Sequence, residues 1–571
     1  GFLSCGGEKP VDFPVSGFGG GLAGLSGEAS SGKLDFSKPK KLEYVSNGAF
    51  PLPSASSLEI GYAFSAAPSP ELKARLVLRI GEDSWALPAD LAFLGLDAGA
   101  DTVFHYAVPL GNSFPRQFSI DLLPPDSGAK NPPVPPPVFE IRSLDIKPRW
   151  FGFYRGSGAA GSKAAPAGEA HFFASPFVYR RRDGAFILDP PGERGGGAAG
   201  REARPEVLVK TEEAAGQSSG TSRGTSGALL ETGGRRFELE APEGEFRVPS
   251  GLTAPNSGPL VLEAGGVRAF VLDYQDLPRF PLPLDADPGI ILDFPREAWR
   301  DPRYEVFRWE AFPSLLIFDT ADYAVQDRLF KRLAFFTEKA GFRGRLASDG
   351  EIAGLHGWNA HDYSAEGLAR FFDAARKSNF PLLAEERELE KILLASGLIR
   401  SGGGGISAGE GGIISISQES APYLRRRFMA HEGFHGLFFI DEDFRNFSRG
   451  QWENLPRQAK RFLTSFFDFQ SYDTGDDYLV VNEFMAHLLQ QPLSQAGRYF
   501  GETLPNNMIK VSPWRRVALP EEEVSAGGNL SWPGLSAIFS AASESFSAYV
   551  SRRWGLAAGR VWKVSVSTPA D

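Results

Sequence analysis

The chain runs to 571 residues, too many for one ordinary domain, with 42 % apolar and 23 % charged residues. That balance supports large cores and excludes wholesale disorder. A net charge of -10 argues against a nucleic-acid binder, because nothing offsets phosphate repulsion, and no run of about 18 apolar residues is present to span a bilayer as a helix.

Residues 1–32 read as a flexible tether, rich in Gly and Ser. The single cysteine excludes an internal disulfide. It lies in Phe2-Leu3-Ser4-Cys5-Gly6-Gly7, which resembles a loose bacterial lipobox. On that resemblance Cys5 carries a lipid, and the protein sits outside the cytoplasm, at the cell surface or in the periplasm, touching the membrane through the anchor only. An incidental cysteine in a floppy terminus is the other reading.

Residues 33–148 carry short period-two segments at 58–62, 74–80, 102–108, 118–122 and 139–146, separated by Pro, Gly and Asp. They predict half-buried strands in a β-sandwich-like domain. Such a domain can bind a glycan or simply hold its neighbour away from a membrane. Residues 149–310 alternate strand-like pieces (205–210, 237–240, 267–272) with Gly-, Ala- and Ser-rich runs, and predict a second β-rich module with long loops. From residue 311 the texture becomes mixed. A buried strand at 314–319 precedes helical spacing at 323–339, 365–377 and 383–394, so 311–571 reads as an α+β domain.

The chemistry lies in that last domain. Among seven histidines, two fall in His431-Glu432-Gly433-Phe434-His435, an H-E-x-x-H sequence inside a segment (423–439) that can form one helix. At about 100° per residue, positions four apart lie roughly 40° from each other. Both imidazoles can then share one metal, while Glu432 reaches a water on it as general base. Gly433 leaves room beside the metal for substrate, and the arginines at 425–427 read as a solvated helix face. A catalytic zinc usually takes three protein ligands. The segment 480–489 reads as a second helix, apolar apart from Asn482, Glu483 and His487. A carboxylate there is costly without a cation or metal partner, so Glu483 is the candidate third ligand; a glutamate at a solvated helix edge is the other reading. His487, four residues on, faces the same way. It can support the site, stabilise the transition state or simply pack.

H-E-x-x-H followed by a helix bearing Asn482-Glu483 resembles the gluzincin zinc metallopeptidases, over about residues 411–491. The resemblance implies a zincin-like fold, a Zn²⁺ cofactor, His431, His435 and Glu483 as ligands, Glu432 as catalytic base, and a peptide or protein substrate. The spacer over residues 436–482 is longer than those families use, which keeps Glu453 as a rival ligand. Under the same resemblance the strand at 411–417 would be a substrate-pairing edge; an ordinary buried strand is the alternative. The Gly-rich run 401–405 is a flap or a linker. In the 356–363 segment, His361 and Tyr363 are candidate substrate contacts at the rim, or else belong to a structural turn. Tyr472 and Tyr478 can each stabilise an oxyanion, and Tyr478 is preferred as nearer Glu483. Asp473, Asp476 and Asp477 form either a calcium site or a solvated turn.

Overall fold

The computed structural model describes separate strand and turn segments between residues 26 and 276, then the chain over 279–524 and 530–568. Cys5 and most of the expected tether lie outside the described residues. The chain divides into two compact units, Gly1–Leu277 with Val566–Asp571, and Pro278–Ser565.

The first unit is built of β-strands. Period-two patterning placed them correctly at Ser56–Phe64, Leu76–Ile80, Val103–Pro109, Gln117–Leu122 and Val138–Pro148. Leu76 and Leu78 are buried while Arg79 is exposed, which is the alternation a half-buried strand requires. These strands sort into two five-stranded sheets. A four-stranded sheet combines Trp150–Tyr154, Val267–Asp276, Ala203–Thr211 and Gly244–Val248. Two expected boundaries shift. Ser26–Gly27, inside the expected tether, pairs with Tyr44 and Val45. Glu169–Phe173 runs parallel to Val103–Pro109, so the regions 33–148 and 149–310 share a sheet instead of forming separate modules.

The second unit begins at Pro278, not near residue 311. The reason is pairing: Leu284–Ala286 and Tyr304–Trp309 join the sheet that carries Leu315–Thr320. Strand order across this sheet is Leu284–Ala286, Tyr304–Trp309, Leu315–Thr320, Gly412–Ser417, His361–Ser364. Leu315–Thr320 is buried at every position, as expected of a strand covered on both faces. On one face Leu316 and Phe318 pack with Phe330, Leu333, Leu368 and Phe372 of helices Tyr323–Thr337 and Ala365–Lys377. The opposite face receives the motif helix, Pro422–Ile440. A Cβ at Gly436 would meet Leu315 Cδ1 at 2.9 Å, so this glycine permits the close helix-to-sheet approach.

Three expectations are resolved here. Arg425 is not on a solvated face. It is buried and grips Asp319 of the central strand at 2.8 and 2.9 Å, with Gln418 adding a bond at 2.6 Å. A carboxylate sealed in a sheet needs such a forked partner, and the pair ties the first turns of the motif helix to the strand. Gly412–Ser417 is interior, flanked by Leu315–Thr320 and His361–Ser364, so it is the buried alternative and not an edge. The Gly-rich run forms a hairpin in which Ile399–Gly402 pairs with Gly405–Ala408 around Gly403-Gly404.

Candidate metal centre

His431 and His435 leave the motif helix on one face, with their Nε2 atoms 3.1 Å apart. The helix Asp477–Leu489 starts at an Asp476 N-cap and is buried from Leu479 to Leu489. It carries Glu483 to the pair: Oε2 lies 3.7 Å from His431 Nε2, and Oε1 lies 3.7 Å from His435 Nε2. A tetrahedral zinc about 2.0–2.2 Å from each ligand keeps its ligand atoms roughly 3.3–3.6 Å apart. The observed separations bracket that spacing. Glu483 Oε2 is buried without a hydrogen-bond partner, which is the orphaned acceptor a bound cation would satisfy.

The charge states fit as well. Burial pushes His431 down to about 3 and His435 down to about 4, so both rings are neutral and offer lone pairs. Burial raises the Glu483 carboxyl, and Tyr472 hydrogen-bonds it. Beside this trio, Glu432 and Asp362 hydrogen-bond each other, and burial raises both well above the carboxylate range. Two carboxyl groups can bond in that way only around a shared proton.

Ligand-type atoms also gather as Asp362, Glu432 and His435, and as His431, Glu483 and His487. The ring of His435 decides between the groupings. Its Nε2 faces His431 and Glu483, whereas Nδ1 faces Asp362 Oδ2 at 3.7 Å. Asp362 therefore sits behind the ring, beyond hydrogen-bond length, and His435 Nδ1 has no hydrogen-bond partner.

Glu453 is exposed near the end of helix Glu442–Asn454 and belongs to neither group of converging ligand-type atoms, so it drops out as a rival. His361 and Tyr363 are not at a rim. Both are buried, with His361 Nδ1 2.7 Å from the Tyr363 hydroxyl. Alternation along His361–Ser364 sends these two rings to the core face and turns Asp362 toward the motif helix. Tyr478 stands 42 % exposed against Phe438, and the phenol at Glu483 is Tyr472. Gly433 does not hold space for substrate, because a Cβ there would meet Val561 Cγ2 at 2.9 Å. The three aspartates form a capped turn: Asp476 caps Tyr478 and Leu479 and pairs with Arg343, which also reaches Asp473 at 3.5 Å. His487 does stand at the site, its Nε2 3.9 Å from Glu483 Oε2.

Sequence reasoning missed the wall opposite. Glu338 is buried and accepts from Trp358 Nε1 at 2.9 Å. Trp358 stacks on Tyr472 at 5.0 Å, and Lys339 Nζ lies 3.0 Å above the Trp358 ring. The strand pattern could have exposed Asp362, but no local signal marks Glu338 or Lys339 at the end of an ordinary amphipathic helix.

Neither a family model nor a curated protein matches the chain. Among solved structures, the tandem CBM51 modules of a family 98 glycoside hydrolase from Streptococcus pneumoniae are similar at 10 % identity and TM-score 0.12, over 42 % of this chain and 79 % of that one. The CupB6 tip adhesin from Pseudomonas aeruginosa is similar at 10 % identity and TM-score 0.12, over 47 % and 88 %. Likeness at that level carries no argument about function.

Proposed function

We propose that the second unit is a zinc-dependent peptidase of the gluzincin kind, with a zincin-like fold and with zinc held by His431, His435 and Glu483. One observation carries the reading. Two neutral imidazole Nε2 atoms lie 3.1 Å apart, one buried carboxylate sets an oxygen 3.7 Å from each of them, the oxygen on the His431 side has no hydrogen-bond partner, and Glu432 follows His431 on the same helix. Bound there, zinc would supply Lewis acidity and bring the pKa of a water toward neutrality.

The chain's own residues do the rest. Glu432 takes the proton of the attacking water and passes it to the leaving amine of a peptide bond. Asp362 holds that carboxyl in place and stands behind the His435 ring, where it would orient the imidazole once zinc is bound. Tyr472 orients Glu483. In the same reading the N-terminal sheets are β-sandwich modules that space the enzyme and can engage a glycan. A lipid on Cys5 would keep it outside the cytoplasm.

The test is metal analysis of the purified full chain together with hydrolysis of a mixed peptide library. About one zinc per chain and peptide cleavage are expected. Glu432→Gln should keep the zinc and lower kcat by about 10²–10⁴-fold. Absence of stoichiometric zinc, or full turnover in Glu432→Gln, overturns the reading.

A further inference from the structure

His487 Nε2 points into the site, and its ring meets that of His431 edge-on at 5.0 Å. Its Nδ1 is held from behind. Gln490 Nε2 lies 3.0 Å away and the Tyr499 hydroxyl 3.1 Å away, while Gln490 Nε2 also donates to that hydroxyl at 2.8 Å. Tyr499 opens the π-helical turn Tyr499–Thr503, a rare geometry that occurs frequently at functional sites. Arg427, one turn before His431, lays its guanidinium 4.6 Å from the centre of the Tyr499 ring and donates to Gln491 Oε1 at 3.0 Å. Two elements thus converge to fix a single hydroxyl behind one imidazole.

Proton counting then fixes the ring. An amide nitrogen donates and cannot accept. A hydroxyl that already accepts from Gln490 turns its own hydrogen to Nδ1. With Gln490 Nε2 donating toward it, Nδ1 is the acceptor, so the one proton of the neutral ring is on Nε2. The 3.9 Å from Nε2 to Glu483 Oε2 is too long for a hydrogen bond, so that N–H remains free for a further acceptor.

We propose that Tyr499 and Gln490 are positioning residues that hold His487 as the Nε2–H tautomer, so that it donates to the negative charge developing on the substrate carbonyl oxygen and is not a fourth metal ligand. This inference rests on the peptidase reading above. A donor aimed at developing charge is worth about 10²–10³-fold in kcat.

Two measurements test it. The first is nitrogen NMR of ¹⁵N-histidine-labelled, metal-free full chain, with the His487 signals assigned by their loss in His487→Gln. The expected signature is protonated Nε2 and bare Nδ1, and a mixed tautomer in Tyr499→Phe combined with Gln490→Leu. The second is kinetics of the same double variant, whose phenylalanine keeps a ring under Arg427. There kcat and kcat/KM should fall together by about 10²-fold or more, with KM and zinc content unchanged. A wild-type ring protonated on Nδ1 overturns the proposal, as does loss of zinc from the double variant. If the chain binds no zinc, the peptidase reading fails, while the NMR result still decides the tautomer. If zinc and turnover are intact but Nδ1 carries the proton, only this inference fails.

Discussion

On the proposed reading zinc stabilises the second unit, and removing the Glu483 carboxylate should abolish that stabilisation. A ligand present at about a hundredfold over its Kd stabilises the state it binds by about 2.7 kcal/mol. The second unit spans Pro278–Ser565, about 290 residues, and unfolding entropy near 2.1 cal/mol/K per residue gives about 0.6 kcal/mol/K. The wild-type unit should then melt roughly 4–5 °C higher in zinc than in chelator. Calorimetry of Glu483→Ala should give no zinc-dependent shift, while Glu453→Ala, altered on an exposed helix face, should keep the whole of it. Metal analysis on the same samples ties the shift to occupancy. A full shift in Glu483→Ala would refute the ligand assignment, and its loss in Asp362→Ala alone would move the ion to the group formed by Asp362, Glu432 and His435.

Asp362→Asn should weaken zinc binding by about 10–100-fold in a competition titration without abolishing it, because on the proposed reading the residue would orient His435 from behind the ring and would not itself ligate. Arg425→Ala should cost about 3–5 kcal/mol in denaturant unfolding by leaving the buried Asp319 uncompensated; a change near zero would mean that the pair contributes nothing to holding the motif helix on its strand.

Much of this arrangement could be read from local sequence because it depends on periodicity. The H-E-x-x-H spacing places two rings on one helix face regardless of tertiary context, and the apolar run around Glu483 marks a helix that must bury its one carboxylate. The N-terminal strands were legible for the same reason. What the sequence concealed is long-range. Nothing near residue 311 signals that Tyr304–Trp309 pairs with Leu315–Thr320, because strand pairing depends on the partner. Arg425 reads as one of three consecutive surface arginines until Asp319 is placed beneath it. His361 and Tyr363 attract notice as rings, yet the two-residue period of their strand sends them inward and turns the short acid between them to the metal centre. The choice between Tyr472 and Tyr478 depended on the turn before the helix: Tyr478, nearer Glu483 in sequence, projects from the outer side of the first helical turn.

The acid content of the site argues for a cation independently of the motif. Glu338, Asp362, Glu432 and Glu483 are all raised by burial first; the charge of Asp362 raises Glu338 further, and that of Glu483 raises Asp362. Lys339 faces Glu338 and Glu483, but burial pulls its own ammonium down to about 8, and the three nearby histidines are neutral. One lysine against four buried acids leaves an excess of negative charge that the fold relieves by retaining protons, as between Asp362 and Glu432. A core built for stability alone would replace such groups with apolar ones, since unpaired buried carboxylates only destabilise it. A dication beside Glu483 would favour the ionised forms and release those protons. It would also leave Glu432 as the base the proposed chemistry requires. On the proposed reading, the same carboxylates that strain the metal-free fold would serve as ligand, base and orienting group once a dication is bound.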